Sequence, residues 1–225
     1  RDGRYVLQVT DELREVIYLD ETRLIAVDHA PEVEVHPTDK LMRPPFPPSE
    51  LWPLHAPRVP RQAIGDDGFD RTQAVSRVDG VFAPPGPPLQ GARRGMTRPL
   101  ALTLDFGSLA DLRAPVLALT GWIRYGDAST NIAASQNGSL SLFPTTLDVE
   151  TADGTWQALD VVIGTPAGKT KTILIDLSGV LPSGARRLRL RSRLELRWDR
   201  IALLERLPAT ALAIHSAEPR SAKLQ

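Results

Sequence analysis

The chain has 225 residues, 42% of them hydrophobic and 24% charged, which is the composition of a globular protein. Its 27 lysines and arginines balance 27 aspartates and glutamates, and this zero net charge argues against a nucleic-acid-binding domain, which usually has a basic excess. The absence of cysteine excludes disulfides, thiolate zinc sites and cysteine nucleophiles. We expect no membrane span, because no apolar run is long enough to cross a bilayer.

Short β-like runs dominate residues 1–43, which we predict to be a region of β-hairpins. Arg4–Val9 is one such run, and Val16–Leu19 and Leu24–Val27 flank a polar turn. Glu32–His36 alternates polar and apolar residues, as a half-buried strand does. The chain starts at an arginine and not at methionine, so we expect it to be a processed or trimmed piece.

Residues 44–97 are predicted to be a proline-rich connecting segment. The stretch PPFPPSELWPLHAPRVP, residues 44–60, contains seven prolines. Proline lacks an N–H group and interrupts both helices and central strands. The segment is therefore either a linker or an extended cover laid over a surface. Phe46, Leu51 and Trp52 favour the cover, since a free linker has little use for large apolar side chains.

Residues 98–207 carry short strand patterns without intervening helices. The predicted strands are Leu100–Phe106, Val116–Tyr125, Leu147–Glu150, Thr155–Leu159 and Thr170–Leu177. Asp153-Gly154 supplies the positive φ angle that a tight hairpin turn requires. These patterns predict an all-β, antiparallel, jelly-roll-like sandwich, followed by a C-terminal tail at 208–225.

An arginine-rich stretch, RLRLRSRLELRWDRI at residues 187–201, alternates charged and apolar side chains. Its leucines and Trp198 are predicted to share one side of a strand, and its arginines, with Glu195 and Asp199, the other. Because both sides become polar at Ser192-Arg193, we expect a bend or bulge there. Glu150, Asp148 and Asp176 are the predicted cross-strand partners of the arginines.

This arginine side is interpreted as a solvated face and not as a nucleic-acid stripe, because acids lie within it and the chain is neutral.

Several catalytic patterns are absent. Gly164–Thr170 has one residue too few between its glycines for a phosphate loop, and a strand pattern follows it. No Gly-x-Ser-x-Gly elbow occurs, and the four histidines lack zinc-ligand spacing. The three acids of GDDGFD, residues 65–70, do not have EF-hand spacing and are interpreted as an acidic turn. No catalytic residue is predicted.

A strand followed by a small polar loop, GWIRYGDASTNIAASQNGS at residues 121–139, is the candidate site. Polar loops on a β scaffold are where binding residues concentrate. The predicted ligand-binding residues are Trp122, Tyr125, Asn131 and Gln136. Oxygens of Asp127 and Asn131 are predicted to bind Ca²⁺. The alternative is that the loop covers a sheet edge and its amides satisfy buried backbone groups.

The segments LTLDFG, GWIRYGDASTNIAASQ, LDVETADGTWQAL, PAGKTKTILIDLSGVLP and RRLRLRSRLELRWDRIAL together resemble the β-rich module of bacterial FG-GAP/VCBS-repeat proteins of the ASPIC/UnbV-associated kind. YVLQVTDELREVIYLDETRLIAVDHAPEVEVHP resembles a segment just upstream in those proteins. Relatives often have a Thr-Asn pair where this chain has Ser192-Arg193. The order of elements is also similar to galactose-binding-like jelly rolls, which is a likeness of fold alone.

The resemblance implies a secreted or cell-envelope protein with a β-propeller elsewhere. We therefore expect a non-catalytic adhesion, interaction or scaffolding module that contacts other domains or protein partners. The alternatives are a carbohydrate-binding, galactose-binding-like module that is stabilised by calcium and binds a glycan, and, third, a hydrolase.

Overall fold

The computed structural model describes residues 6–9, 18, 20–89, 94–138 and 144–221. Its strands are, in chain order, β1 (Leu24–Asp28), β2 (Glu34–Pro37), β3 (Leu51–Arg58), β4 (Gln62–Gly65), β5 (Met96–Asp105), β6 (Pro115–Ile123), β7 (Thr146–Glu150), β8 (Trp156–Ala158), β9 (Lys171–Asp176), β10 (Arg187–Leu194), β11 (Leu196–Arg206) and β12 (Ala213–Ala217). One helix, α1 (Ala128–Gln136), follows β6. A 3₁₀ turn at Gln73–Val75 precedes β5, and another at Ala209–Ala211 precedes β12.

Strands β2–β11 form two five-stranded antiparallel sheets within one compact unit, Ala30–Ala211. Sheet 1 has the order β4-β5-β10-β7-β8, and sheet 2 has the order β2-β3-β11-β6-β9. Most consecutive strands change from one sheet to the other, as they do in a jelly roll. The predicted all-β antiparallel sandwich is therefore confirmed.

A core of leucine, isoleucine and valine fills the space between the sheets. The largest fully buried side chains of this core are Phe106, Leu104, Leu117, Leu119, Leu147, Ile163, Ile173, Ile175, Leu177, Leu188 and Ile201. Alternation sets which residues face inward, because successive side chains of a strand point to opposite sides of a sheet. In β10, Leu188 and Leu190 are buried, while Arg187, Arg189 and Arg191, which alternate with them, remain accessible.

The second unit described is a two-stranded ribbon of β1 and β12, in which Leu24 lies opposite Ala217 and Asp28 opposite Ala213. The predicted hairpin of Leu24–Val27 with Val16–Leu19 falls mostly outside the described residues, and the pairing described for β1 is with β12, in the predicted tail. A pairing between residues this far apart in the chain leaves no local pattern to read. Of the predicted strand Arg4–Val9, residues 6–9 are described and form no strand, and the first two residues lie outside the described part of the chain.

The predicted connecting segment contains regular structure. Both β3 and β4, within the predicted connecting segment 44–97, are strands of the sandwich. Proline is accommodated because β3 is irregular there: Ala56 has a φ of 51°, and the register with β11 shifts beside Pro57. Bulges are among the few places where a sheet tolerates proline.

The arginine-rich stretch bends where the sequence predicts it to bend. The register of β10 against β5 shifts between Ser192 and Leu194, and the strand ends before Glu195. The chain then enters β11 in the opposite sheet. The prediction that all charged side chains of this stretch share one solvated side is therefore wrong for its second half. Asp199 is only 1% exposed, and Glu195 only 8%.

Residues 34–41, here called the crossing segment, begin with β2, which pairs with β3, and their side chains also contact β11 and β9 on the outer face of sheet 2. Glu34 pairs with Arg200 of β11 at 2.7 and 2.8 Å. Arg200 points away from the core, because its neighbour Ile201 points into it. Five residues further on, Asp39 lies 2.5 Å from Nζ of Lys171 on the edge strand β9. The segment therefore runs from the middle of the sheet to its edge.

Sheet 2 is buried on this outer face as well as on its inner face. A second apolar cluster lies there and consists of Leu54, Val116, Ala118, Leu174, Ala202 and Leu204, with Trp52 packed against it. In β11 the run Ile201–Leu204 is buried on both sides. A strand that is covered on both faces has a nearly continuous run of apolar residues in its sequence.

Candidate functional site

Most of the predicted polar loop is the helix α1. Asp127 caps its first turn: Oδ1 accepts hydrogen bonds from the backbone N–H of Thr130 and from Oγ of Ser129, both at 2.7 Å. The prediction of an irregular loop is wrong for this part. The signal was present in the sequence, because an aspartate before an alanine-containing run is a typical N-cap.

The helix cap accounts for the lowered pKa of Asp127. Hydrogen bonds from Ser129 and Thr130 lower the pKa of this carboxyl to about 2. Asn131, the other predicted calcium ligand, lies on the next turn, and its Oδ1 would be 2.9 Å from a Cβ added to Gly126. Within the described residues no group of three or more histidines and acids could hold a metal ion. The calcium site remains a prediction.

The two predicted aromatic contacts differ in their surroundings. Trp122 is half-buried between Phe82, whose ring meets it edge-on at 6.3 Å, and the guanidinium of Arg197 at 5.7 Å. Tyr125 is 46% exposed, and its hydroxyl accepts a hydrogen bond from Gly168 N–H at 2.8 Å. An aromatic face is therefore accessible at Tyr125, whereas the ring of Trp122 already has neighbours.

The remaining predicted contact, Gln136, lies exposed in the last turn of α1. The other predicted residues are close along the chain, from the end of β6 to the first turns of the helix. No hydrogen bond joins the side chains of Trp122, Tyr125, Asn131 and Gln136 to one another among the contacts of the described residues. They occupy one stretch of the chain and do not form a hydrogen-bonded cluster.

A larger cluster of chemically distinctive side chains covers the outer face of sheet 1. We call it the arginine–tryptophan face, and it consists of Asp148, Glu150, Trp156, Arg187 and Arg189. The guanidinium of Arg189 lies 4.2 Å from the centre of the Trp156 ring, and that of Arg187 lies 5.9 Å from it. Cation–π contacts of this kind stabilise an arginine on an aromatic ring.

Each arginine of this face also pairs with a carboxylate on the neighbouring strand. Arg187 binds both oxygens of Glu150 at 2.6 and 2.7 Å. Arg189 binds Oδ2 of Asp148 through two nitrogens at 3.0 and 2.7 Å. Residues 189 and 148 are directly opposite in the β10–β7 register. The predicted partners Asp148 and Glu150 are therefore confirmed, whereas Asp176 lies 4.0 Å from Arg206 in the other sheet.

The electrostatics of the face follow from these pairs. Both carboxylates are buried, with 3% of Asp148 and 7% of Glu150 exposed. The hydrogen bonds that Arg187 donates to Glu150 lower the pKa of the carboxyl and raise the pKa of the guanidinium. The guanidiniums thus lie above buried carboxylates, which fix their position and offset their charge. The stacking of Trp156 was not predicted, although the tight Asp-Gly hairpin sets its position opposite Glu150.

Three other acidic residues stabilise the fold through hydrogen bonds. In the predicted acidic turn, Asp67 forms a bidentate pair with the buried Arg71 at 2.8 and 2.6 Å. Asp70 accepts a hydrogen bond from Thr72 N–H, which ties the turn to the next residues. Asp199 accepts hydrogen bonds from the backbone N–H groups of Asp79 and Gly80 and so holds that loop on sheet 2. The interpretation of an acidic turn is consistent with these contacts.

The described residues contain no helix that is both long and apolar enough to cross a membrane. Comparison of the chain with protein-family models, with curated proteins and with solved structures finds no match.

Proposed function

We propose that this chain is a non-catalytic interaction or scaffolding module of a larger bacterial extracellular or envelope protein, and that it contacts a protein partner through the arginine–tryptophan face. The observation that carries the proposal is the stack of Arg187 and Arg189 on Trp156 above buried carboxylates. The extracellular setting rests on the resemblance described above.

The composition of this face supports a protein partner. Tryptophan and arginine are the residues most enriched among those that dominate binding energy at protein interfaces. Here they project from paired strands and are held by cross-strand contacts, so little side-chain freedom remains to be lost on binding. The buried carboxylates offset the charge of the arginines, which is unfavourable for a phosphate backbone.

Site-specific photo-crosslinking tests this proposal. A photoreactive amino acid replaces Ala158, which is exposed and lies in register with Asp148 on the same face. The matched control carries it at Ser178, exposed at the end of β9. In cells that express the complete protein, we expect one defined crosslinked product from position 158 and none from position 178. Products that do not depend on the position would contradict the proposal.

A second variant links the crosslink to the stacked side chains. Replacing Trp156 by alanine in the position-158 background should lower the crosslinking yield about tenfold, because the aromatic anchor is lost. The folded state is checked by far-ultraviolet circular dichroism. An unchanged yield in the folded variant would show that the partner contacts another part of the protein.

Carbohydrate binding is the second candidate, and the observation that favours it is the exposed ring of Tyr125 beside a polar helix. Sugar rings stack on accessible aromatic faces of this kind. Titration of the protein with glycan libraries, with and without calcium, tests it. Binding that is lost in Tyr125→Ala but retained in Trp156→Ala would favour this candidate over the protein-interaction function.

A further inference from the structure

Lys40 lies in an apolar groove next to the edge of sheet 2. The groove has a volume of about 380 Å³ and is lined by Lys40, Met42, Pro45, Phe46, Pro47, Val161, Val162, Ile175 and Asp176. Two of its walls are exposed apolar side chains, with 66% of Phe46 and 58% of Val162 accessible. This volume lies in the range of small-molecule sites, which are mostly apolar with a few polar groups.

The ammonium of Lys40 is held in a defined position. Its Nζ donates hydrogen bonds to the carbonyl oxygens of Val162 at 2.7 Å and Leu174 at 3.1 Å. Gly164 leaves room for the side chain, because a Cβ added there would lie 3.0 Å from Cδ of Lys40. The adjacent backbone is also fixed, since Leu41 and Thr165 exchange two hydrogen bonds of 3.0 and 2.9 Å.

Two carbonyls account for two of the three N–H groups of an ammonium. Among the described residues, no carboxylate forms an ion pair with Lys40, and burial lowers its pKa. Asp176 lines the same groove, but its carboxylate lies 4.0 Å from Arg206. The nearby Lys171 differs, because Asp39 neutralises it at 2.5 Å. Lys40 thus retains a cationic donor that an incoming anion can use.

We propose that this groove binds a small apolar monocarboxylate, with the carboxylate on Nζ of Lys40 and the hydrocarbon chain along Phe46 and Val162. A fixed cation in a groove whose other lining residues, apart from Asp176, are apolar matches a ligand that has one anionic end and an apolar body. The site lies on sheet 2 and does not depend on the arginine–tryptophan face of sheet 1.

Titrations of the intact chain with three probes of equal chain length test the proposal: octanoate, 1-octanol and octylammonium. Amide chemical shifts in NMR spectra report binding at Leu41, Val162 and Thr165. Octanoate should bind at least about tenfold more tightly than 1-octanol, because it adds a charge-assisted hydrogen bond. Octylammonium should bind most weakly. If octanoate does not bind saturably at millimolar concentration, or if the three probes bind equally, the proposal is overturned.

Variants assign the selectivity to Lys40. Lys40→Met preserves the length and apolar character of the side chain and should remove the preference for octanoate over 1-octanol. The matched control is Lys169→Met, at an exposed lysine outside the groove, which should leave the preference unchanged. Phe46→Ala, at an exposed wall residue, should weaken both probes by a similar factor. Retention of the preference in Lys40→Met would refute the assignment.

Discussion

The outer faces of the two sheets differ in the side chains that they carry and in how far water reaches them. On sheet 1, β10 alternates buried leucines with arginines that lie above buried carboxylates, and the face remains partly open to solvent. On sheet 2, the run Ile201–Leu204 of β11 is buried on both sides, and Glu34 of the crossing segment pairs with Arg200 of the same strand. The partly open face of sheet 1 is dominated by arginine–carboxylate pairs, whereas the outer face of sheet 2 combines a buried apolar cluster with the Glu34–Arg200 pair. The difference decides which surface is available to a partner.

The largest loss of stability should come from a substitution on the outer face of sheet 2. Leu204 is fully buried in the outer cluster of sheet 2. Leu204→Ala removes buried methyl groups and leaves a cavity, so we expect a loss of about 3 kcal/mol in the free energy of unfolding. Thr103→Ala, on the partly open face of sheet 1, is the control and should change it by less than about 0.5 kcal/mol. Urea denaturation measures both. Equal small effects would mean that the outer cluster is not packed.

Breaking the ion pair between Arg189 and Asp148 on the outer face of sheet 1 should have the next largest effect on stability. Arg189→Leu leaves the buried carboxylate of Asp148 with only a distant contact, 3.8 Å to Arg191. We expect a loss of about 2 kcal/mol, below the usual range for a buried pair because Arg191 remains nearby. In the double variant Asp148→Leu/Arg189→Leu much of this loss should be recovered, as no charge is left buried. Urea denaturation of the parent, of Arg189→Leu and of the double variant tests this expectation. A double variant less stable than Arg189→Leu would argue against a buried pair.

The pair that fastens the crossing segment gives a pH-dependent effect. Hydrogen bonds from His36 and Arg200 lower the pKa of Glu34 from 4.5 to about 2. Because the folded-state pKa is depressed, the stabilisation is complete above about pH 5 and is lost as the pH falls towards 2. Discounted for the partial exposure of Glu34, it amounts to about 1–2 kcal/mol.

This predicts that Glu34→Gln is less stable than the parent at pH 7 and that the gap narrows as the solution is acidified. Thermal or urea unfolding at a series of pH values between 2 and 7 measures the gap. The control is Glu218→Gln, at an exposed glutamate, which should show no gap at any pH. A gap that is constant with pH would mean that the stability of the segment does not depend on the charge of Glu34.

The smallest effect on stability should come from removing the contact between Arg189 and Trp156. A double-mutant cycle of Arg189→Leu and Trp156→Leu should give a coupling free energy of about 0.5–1 kcal/mol for a partly exposed cation–π pair. A coupling indistinguishable from zero would mean that the ring is not held by the guanidinium, and it would weaken the case for a rigid binding surface.

Local patterns predicted much of the sandwich. The alternation of β10, the Asp-Gly hairpin of β7 and β8, and the bend at Ser192-Arg193 depend on neighbours in the chain, and the structure confirms each. Long-range pairings could not be predicted in this way. Prolines concealed β3, whose irregular backbone accommodates them, and β1 pairs with β12 far along the chain.

The candidate site was predicted less well than the fold. Asp127 is a predicted calcium ligand, but its hydrogen bonds cap α1, a role that its place before an alanine-containing run also indicates. Arginines and their carboxylate partners were predicted correctly because they lie opposite each other in a regular ladder. The Lys40 groove was not predicted, since it depends on where the crossing segment meets β9, and no local sequence pattern encodes that meeting.

A double-mutant cycle of Glu34 and Arg200 tests most directly whether the crossing segment covers the outer face of sheet 2. The two residues are 166 positions apart, so only the folded chain brings them together. Glu34→Gln, Arg200→Met and the double variant should give a coupling free energy of about 1–2 kcal/mol at low salt and neutral pH. A coupling below about 0.3 kcal/mol would show that the segment does not lie across the sheet, and sheet 2 would then have to be covered in another way.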